Sequence, residues 1–290
     1  MNIGVIGLGA VGMFVAAELS KHHEVTGYAR RHEQIEKIHI NGIQYGGKKL
    51  KVKVSHINEI SEHDLYIVCV KQTQLDDCLI YLNRIKKKAL VLFLQNGLGH
   101  LEKIESLPHH IFVGTNEYGI LKKSDYEVKL TGKGQIQFRK LDDDHRHLED
   151  KLVHELSTKE FVLKKSDQLL NILHEKLIIN SVINPLTAIF EVKNGFVIEN
   201  DYLKKIAYQL TEEACEVLAM DEKKMWERVK TVCLNTKENY SSMVVDIQNN
   251  RQTEIDYING YLLNKSEQAL THQLIYNLIK GKESLARDNT

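Results

Sequence analysis

The sequence predicts an α/β protein in two parts: a doubly wound, mostly parallel sheet over residues 1–165, followed by an all-helical domain over residues 166–290. Three observations predict it. A β-branched run at the N-terminus passes through three glycines into a helical pattern. Short, nearly unbroken apolar runs then recur, as in strands covered on both faces. After about residue 165 these runs give way to helical periodicity that holds to the end. A chain of 290 residues suits two domains, each able to bury its own core.

The first strand is residues 1–6 (MNIGVI), followed by Gly7-Leu8-Gly9-Ala10-Val11-Gly12 and then Val15, Ala16 and Leu19 at helical spacing. Strand, glycine turn and helix form the context in which GxGxxG binds a dinucleotide. The first glycine permits the turn, the second lets the backbone approach a pyrophosphate, and the third lets helix pack on strand. The helix N-terminus adds free N–H groups and the positive end of its dipole. A Rossmann-type N-terminal domain is the expected result.

Residues 24–28 (EVTGY) form the second strand, and the residues after it bear on which dinucleotide is held. An acidic residue there would accept the ribose hydroxyls of NAD. This chain has Arg30 and Arg31, two guanidiniums suited to a 2′-phosphate, so NADP is expected. Strands follow at 64–70, 89–94 and 111–114, and the carboxyl ends of the first two place Lys71 and Asn96 at the ligand edge of such a sheet. Residues 126–138, with Gly132 and Gly134 inside, read as an antiparallel hairpin closing it.

In the second part, Lys176, Asn180 and Asn184 recur every fourth residue down an otherwise apolar helix. Such a helix is buried on most sides, so the polar line faces a partner, water or a ligand. One reading is a general acid beside two hydrogen-bonding amides; the other is a polar seam between helices, with the lysine paired. Asn184-Pro185 should end or kink this helix, and Asn194-Gly195 supplies a turn. Thr253 and Asp256 have the spacing of a capping box, which puts Glu254 in the first turn of a helix. There Glu254 either caps electrostatically or accepts a hydrogen bond from a ligand hydroxyl.

Composition narrows the classes. Lys plus Arg and Asp plus Glu each total 39, so no net field draws the chain to nucleic acid or acidic membrane. Cys69, Cys78, Cys215 and Cys233 lie far apart without CxxC spacing, so neither disulfides nor a zinc site are expected. The histidine pairs 22–23, 109–110 and 145/147 lack ligand spacing, and Lys86 to Lys88 read as an exposed helix end, so no metal site is assigned. The apolar first nineteen residues have no Lys or Arg before Lys21 and read as strand and turn rather than as a leader. A soluble, cytoplasmic protein is expected.

Taken together, the chain resembles the ketopantoate reductase (2-dehydropantoate 2-reductase) family along nearly its whole length. The match is carried by the Gly7 to Gly12 turn, residues 95–99 (QNGLG), residues 176–188 (KLIINSVINPLTA), and SSM with RQTEIDYING within 241–260. In that family an NADPH-binding Rossmann domain faces a helical domain, and ketopantoate is reduced to pantoate on the route to pantothenate and coenzyme A. The resemblance implies Lys176 as proton donor, with Glu254 at the substrate's hydroxyl end and beside the cofactor. Asn180, Asn184, Asn194 and Ser242 are implied as substrate contacts, and Asn96 as touching both ligands. Arg30, Arg31, Lys71 and Ile120 join Gly7 to Gly12 around NADP(H). The chain departs from the family after Leu263, where a Gly- and Pro-containing loop is missing and the C-terminal region is short. The partner implied is a small 2-oxo acid, with a homodimer as the candidate assembly. A reductase of another branched 2-oxo acid, or a non-catalytic NADPH sensor, would share the glycine turn; only an enzyme needs the lysine.

Overall fold

The structure is a computed structural model describing residues 1–95, 97–142 and 144–288. The chain divides into two compact units, Met1–Asn96 with Leu101–Leu169, and Gly97–His100 with Leu170–Thr290.

The first unit runs β1 (Asn2–Ile6), α1 (Ala10–Leu19), β2 (Glu24–Ala29), α2 (His32–Asn41), β3 (Ile43–Tyr45), β4 (Lys48–Leu50), β5 (Lys53–His56), β6 (Leu65–Val68) and α3 (Leu75–Leu82). It continues through β7 (Leu90–Phe93), α4 (Leu101–Glu105), β8 (His110–Asn116), β9 (Gly119–Lys122), β10 (Glu127–Gly132), β11 (Ile136–Lys140), α5 (His147–Leu156) and β12 (Leu163–Lys165). Eight strands form one sheet in the order β12-β11-β8-β7-β6-β1-β2-β5. From β5 to β8 every neighbouring pair is parallel, and β11 joins antiparallel to β8. β6 and β7 are buried at every position, which explains their unbroken apolar runs. The strand order turns back at β1, so the carboxyl ends of β1 and β6 flank the switch point where open α/β sheets bind ligands.

The expected hairpin over 126–138 is not formed. β10 instead enters a separate four-stranded sheet, β4-β3-β10-β9, while β11 enters the large one. Gly134 explains the separation: a Cβ there would lie 2.5 Å from the Glu117 carbonyl, so the chain crosses over Glu117 rather than folding back. The β3–β4 turn has Gly46 and Gly47 at φ of +59° and +74°, as a tight two-residue hairpin requires. α1 ties the two sheets together, with Phe14 packing against Tyr45, Tyr118 and Phe161 at ring separations of 5.6, 4.8 and 6.0 Å.

The second unit is helical: α6 (Leu169–Phe190), α7 (Phe196–Glu199), α8 (Asp201–Leu218), α9 (Glu222–Asn235), α10 (Ser242–Gln248), α11 (Ile255–Leu263) and α12 (Leu270–Asp288). Asn200, Asp221 and Ser241 cap α8, α9 and α10 through their side-chain oxygens. No helix among the described residues is long and apolar enough to cross a membrane.

α6 does not end at Asn184; it continues through Pro185 to Phe190. Proline has no N–H, so it leaves the Ser181 carbonyl without its intrahelical donor. Asn259 on α11 supplies one, its Nδ2 donating to the Ser181 oxygen at 3.1 Å. The same Nδ2 lies 2.9 Å from His272 Nδ1, and His272 Nε2 lies 2.9 Å from the Leu210 carbonyl. His272 therefore carries its proton on Nε2, and a buried chain of bonds links α6, α11, α12 and α8.

Candidate active site

In the first unit the glycine turn is made by contact with its neighbours. Gly7 has φ of +92°, its N–H donates to the Tyr28 carbonyl at 2.9 Å, and a Cβ would sit 2.7 Å from Val70 Cγ1. Gly12 lies over the turn so closely that a Cβ would fall 1.8 Å from the Gly7 carbonyl oxygen. Gly9 differs: nothing lies within 4 Å of where its Cβ would be. It occupies the N-cap of α1, no side chain caps that end, and its first turn holds no acidic residue. The N–H groups exposed there, with Leu8, Ala10 and Val11 around them, suit a pyrophosphate. Beneath the turn, burial pushes the Cys69 thiol up to about 12, which keeps negative charge out of the cradle.

Arg30 follows directly after β2 and pairs with Asp77 at 2.8 Å. Arg31 is the N-cap of α2 and pairs with Asp125 and Glu33. Burial alone would raise the Asp125 carboxyl, but bonds from Arg31 and Lys122 outweigh it and hold the group at about 2. Both guanidiniums are about half exposed, Arg30 at 49 % and Arg31 at 53 %, so a phosphate can reach them. No carboxylate takes the position after β2 that NAD ribose would need, and these residues fit a dinucleotide bearing a 2′-phosphate. Lys71 stands three residues past β6, opening the short turn into α3. Ile120 lies in β9 and packs against the core of this unit. Asn96 lies outside the described residues.

The residue before it, Gln95, was given no role by sequence. It is 3 % exposed, and neither atom of its amide has a partner among the described residues. Such a buried amide is costly unless a ligand satisfies it. The signal was its place in the QNG turn.

In the second unit, Lys176, Asn180 and Asn184 lie along one face of α6 as their spacing requires. Asn180 is half-buried and Asn184 buried, and neither side chain makes a hydrogen bond among the described residues. Lys176 is half-buried. His174, two residues earlier, is held below its ordinary pKa by burial and then by Lys265, so it adds no charge beside the lysine at neutral pH.

Asn194 is buried, and its Nδ2 is already committed to Thr236 Oγ1 at 2.9 Å; only Oδ1 is left without a partner among the described residues. Ser242 is exposed in the first turn of α10, whereas its neighbour Ser241 is the buried cap, accepting from Val244 N–H and from Thr187 Oγ1.

The capping box expected of Thr253 and Asp256 is not the one formed. Glu254 is the N-cap of α11, and Asp256 turns away to accept from Tyr276 at 2.7 Å and to meet Lys280 at 3.2 Å. The N–H of Thr253 is taken instead by Glu283 of α12 at 2.8 Å. The box is closed from another helix, which local spacing does not reveal.

Comparison with known proteins agrees with both units. Residues 3–143 match the family described as Ketopantoate reductase PanE/ApbA, and residues 168–283 the family described as Ketopantoate reductase PanE/ApbA C terminal. The chain is 40 % identical over 294 residues to the 2-dehydropantoate 2-reductase of Bacillus subtilis, covering 98 % of each protein. The Listeria monocytogenes protein of the same name is 33 % identical over 98 % of this chain and 97 % of its own. Among solved structures, the probable 2-dehydropantoate 2-reductase of Bacillus subtilis superposes with a TM-score of 0.85 at 38 % identity, covering 97 % of this chain and all of that one. A D-mandelate dehydrogenase with NADH and anilino(oxo)acetate gives 0.92 at 26 % identity, covering 99 % and 100 %.

Proposed function

The chain belongs to the ketopantoate reductase family, and from that premise we propose that it reduces 2-dehydropantoate (ketopantoate) to (R)-pantoate with NADPH, a step toward pantothenate. The observation that carries this reading is the line of Lys176, Asn180 and Asn184 on α6, with two amides that have no partner among the described residues.

The N-terminal N–H groups of α1 would hold the pyrophosphate of the cofactor, and Arg30 and Arg31 would hold its 2′-phosphate. Lys71, Asn96 and Ile120 complete the cofactor contacts. A bound NADPH supplies the hydride for C2. As negative charge grows on the C2 oxygen, Lys176 Nζ donates a hydrogen bond to it and then the proton. Asn180 and Asn184 fix the substrate through their amides, and Asn194 and Ser242 extend that contact. Asn194 offers Oδ1 alone, so it serves as an acceptor there. Glu254 accepts from the hydroxyl at the far end of the substrate. This makes the protein an enzyme of a small molecule. Leu270, Leu274 and Leu278, spaced by four on α12 and 70, 59 and 45 % exposed, favour a homodimer through that face.

A second reading follows from the likeness to D-mandelate dehydrogenase: the same acid could serve a 2-oxo acid with a different side chain. NADPH and NADH oxidation, each followed with ketopantoate, 2-oxoisovalerate and phenylglyoxylate, decides between them. The proposal expects fast turnover with NADPH and ketopantoate; preference for either other acid favours the second reading, and no turnover with tight NADPH binding favours a sensor.

A further inference from the structure

We infer that Glu283, on the C-terminal helix, is a positioning residue for Glu254 and through it sets the preference for a 2-oxo acid that bears a hydroxyl. The inference rests on the proposed role of Glu254. As N-cap of α11, Glu254 has φ of −93° and ψ of 21° and makes no side-chain cap bond. The backbone on either side of it sets the point from which its side chain starts.

That backbone is held by one carboxylate. Glu283 is 5 % exposed, and its Oε1 accepts from both the N–H and the Oγ1 of Thr253, at 2.8 and 2.7 Å. Thr253 Oγ1 in turn accepts from the N–H of Ile255 at 3.2 Å. Thr253, immediately before Glu254, is held by Glu283 Oε1, and Ile255, immediately after it, is held through the Thr253 hydroxyl. The other oxygen, Oε2, lies 3.2 Å from Lys280 Nζ, which also reaches Asp256 Oδ2 at 3.2 Å, and Tyr276 donates to Asp256. Upstream, Arg251 Nε meets the buried Asp246 at 3.2 Å, and Arg251 N–H donates to the Asp246 carbonyl at 2.9 Å. The segment entering α11 is fixed at both ends.

A buried carboxylate is retained only where it is paired and hydrogen-bonded. Glu283 meets both conditions, and its two acceptor bonds fall on the residue adjoining Glu254. A group aimed at a ligand loses its effect when displaced by an ångström, so the supporting residue governs the specificity.

The test measures KM and kcat with ketopantoate and with 2-oxoisovalerate, which lacks the hydroxyl, together with NADPH affinity and Tm. Glu283→Ala should raise KM for ketopantoate about 10-fold or more, leaving 2-oxoisovalerate KM, kcat and NADPH affinity nearly unchanged. Glu283→Gln, which keeps an acceptor for Thr253, should restore most of the selectivity. Should Glu283→Ala not fold, Thr253→Val removes the hydroxyl link alone and should give a smaller loss of the same selective kind. Glu254→Ala separates the two claims: if it is not selective for the hydroxyl, the reading of Glu254 fails. If it is selective while the Glu283 and Thr253 variants weaken both substrates equally, or neither, the positioning role is overturned.

Discussion

The two units build their proposed binding groups largely from different materials. In the first, the proposed pyrophosphate cradle is backbone, a glycine turn and the bare N-terminus of α1 with Arg30 and Arg31 beside it, so the cradle depends on atoms that are absent, above all at Gly9 and Gly12. In the second, the proposed groups are side chains on α6 and α11, helices tied by bonds between positions distant in sequence, such as Asn259 to Ser181 and Glu283 to Thr253. The difference teaches where each is vulnerable. A backbone site breaks when an atom is added, and a side-chain site when one is removed.

The sharpest contrast lies within the glycine turn. Gly12→Ala forces a Cβ to within 1.8 Å of a carbonyl oxygen, and calorimetry should show a loss of about 3 kcal/mol or more. Gly9→Ala meets no protein atom within 4 Å, so the fold should survive with Tm shifted by less than about 2 °C. NADPH affinity should nevertheless fall, because the methyl occupies the approach to the pyrophosphate. If both variants lose stability alike, the cradle is not open as described.

In the second unit, Asn259→Ala removes the donor that satisfies the carbonyl above Pro185 and strands His272 Nδ1. Denaturant unfolding should show a loss of about 1–3 kcal/mol. Pro185→Ala restores the intrahelical N–H, so in that background the same change should cost less; equal costs would separate Asn259 from the proline.

Histidines act in both units, and each gives only a gradual effect per pH unit. Burial lowers His272 and takes His100 down to about 4, and in the first unit burial also lowers His63 and His109. Below the unfolded value of about 6.5, the unfolded chain binds these protons and the folded one does not, so stability falls with falling pH. The loss is at most about 1.4 kcal/mol per pH unit for each such group, continuing to about pH 4 for His100. Tm measured between pH 7.5 and 4 should decline in that window; a flat profile would show that these rings take up protons without cost.

Local patterns made much of this legible. The turn at Gly7 to Gly12, the arginines after β2 and the buried strands β6 and β7 follow from short-range sterics and burial, and the sequence states them openly. The line of Lys176, Asn180 and Asn184 was legible because helical periodicity alone puts them on one face. What could not be read is what crosses the chain. Asn259 lies 78 positions from Ser181 and Glu283 lies 30 from Thr253, so a broken helix and a local capping box were the natural expectations. The separation of β10 from β11 likewise turns on how closely Gly134 approaches Glu117, which no spacing announces.

The division of labour is tested most directly by Lys176→Ala, with kcat for ketopantoate and NADPH affinity by fluorescence titration measured on the same preparation. A proton-donating side chain on a helix, apart from a backbone-built cofactor cradle, predicts that kcat falls by about 10²- to 10⁴-fold while NADPH affinity stays within about twofold. Equal loss of turnover and of NADPH binding would contradict it and make Lys176 a structural lysine.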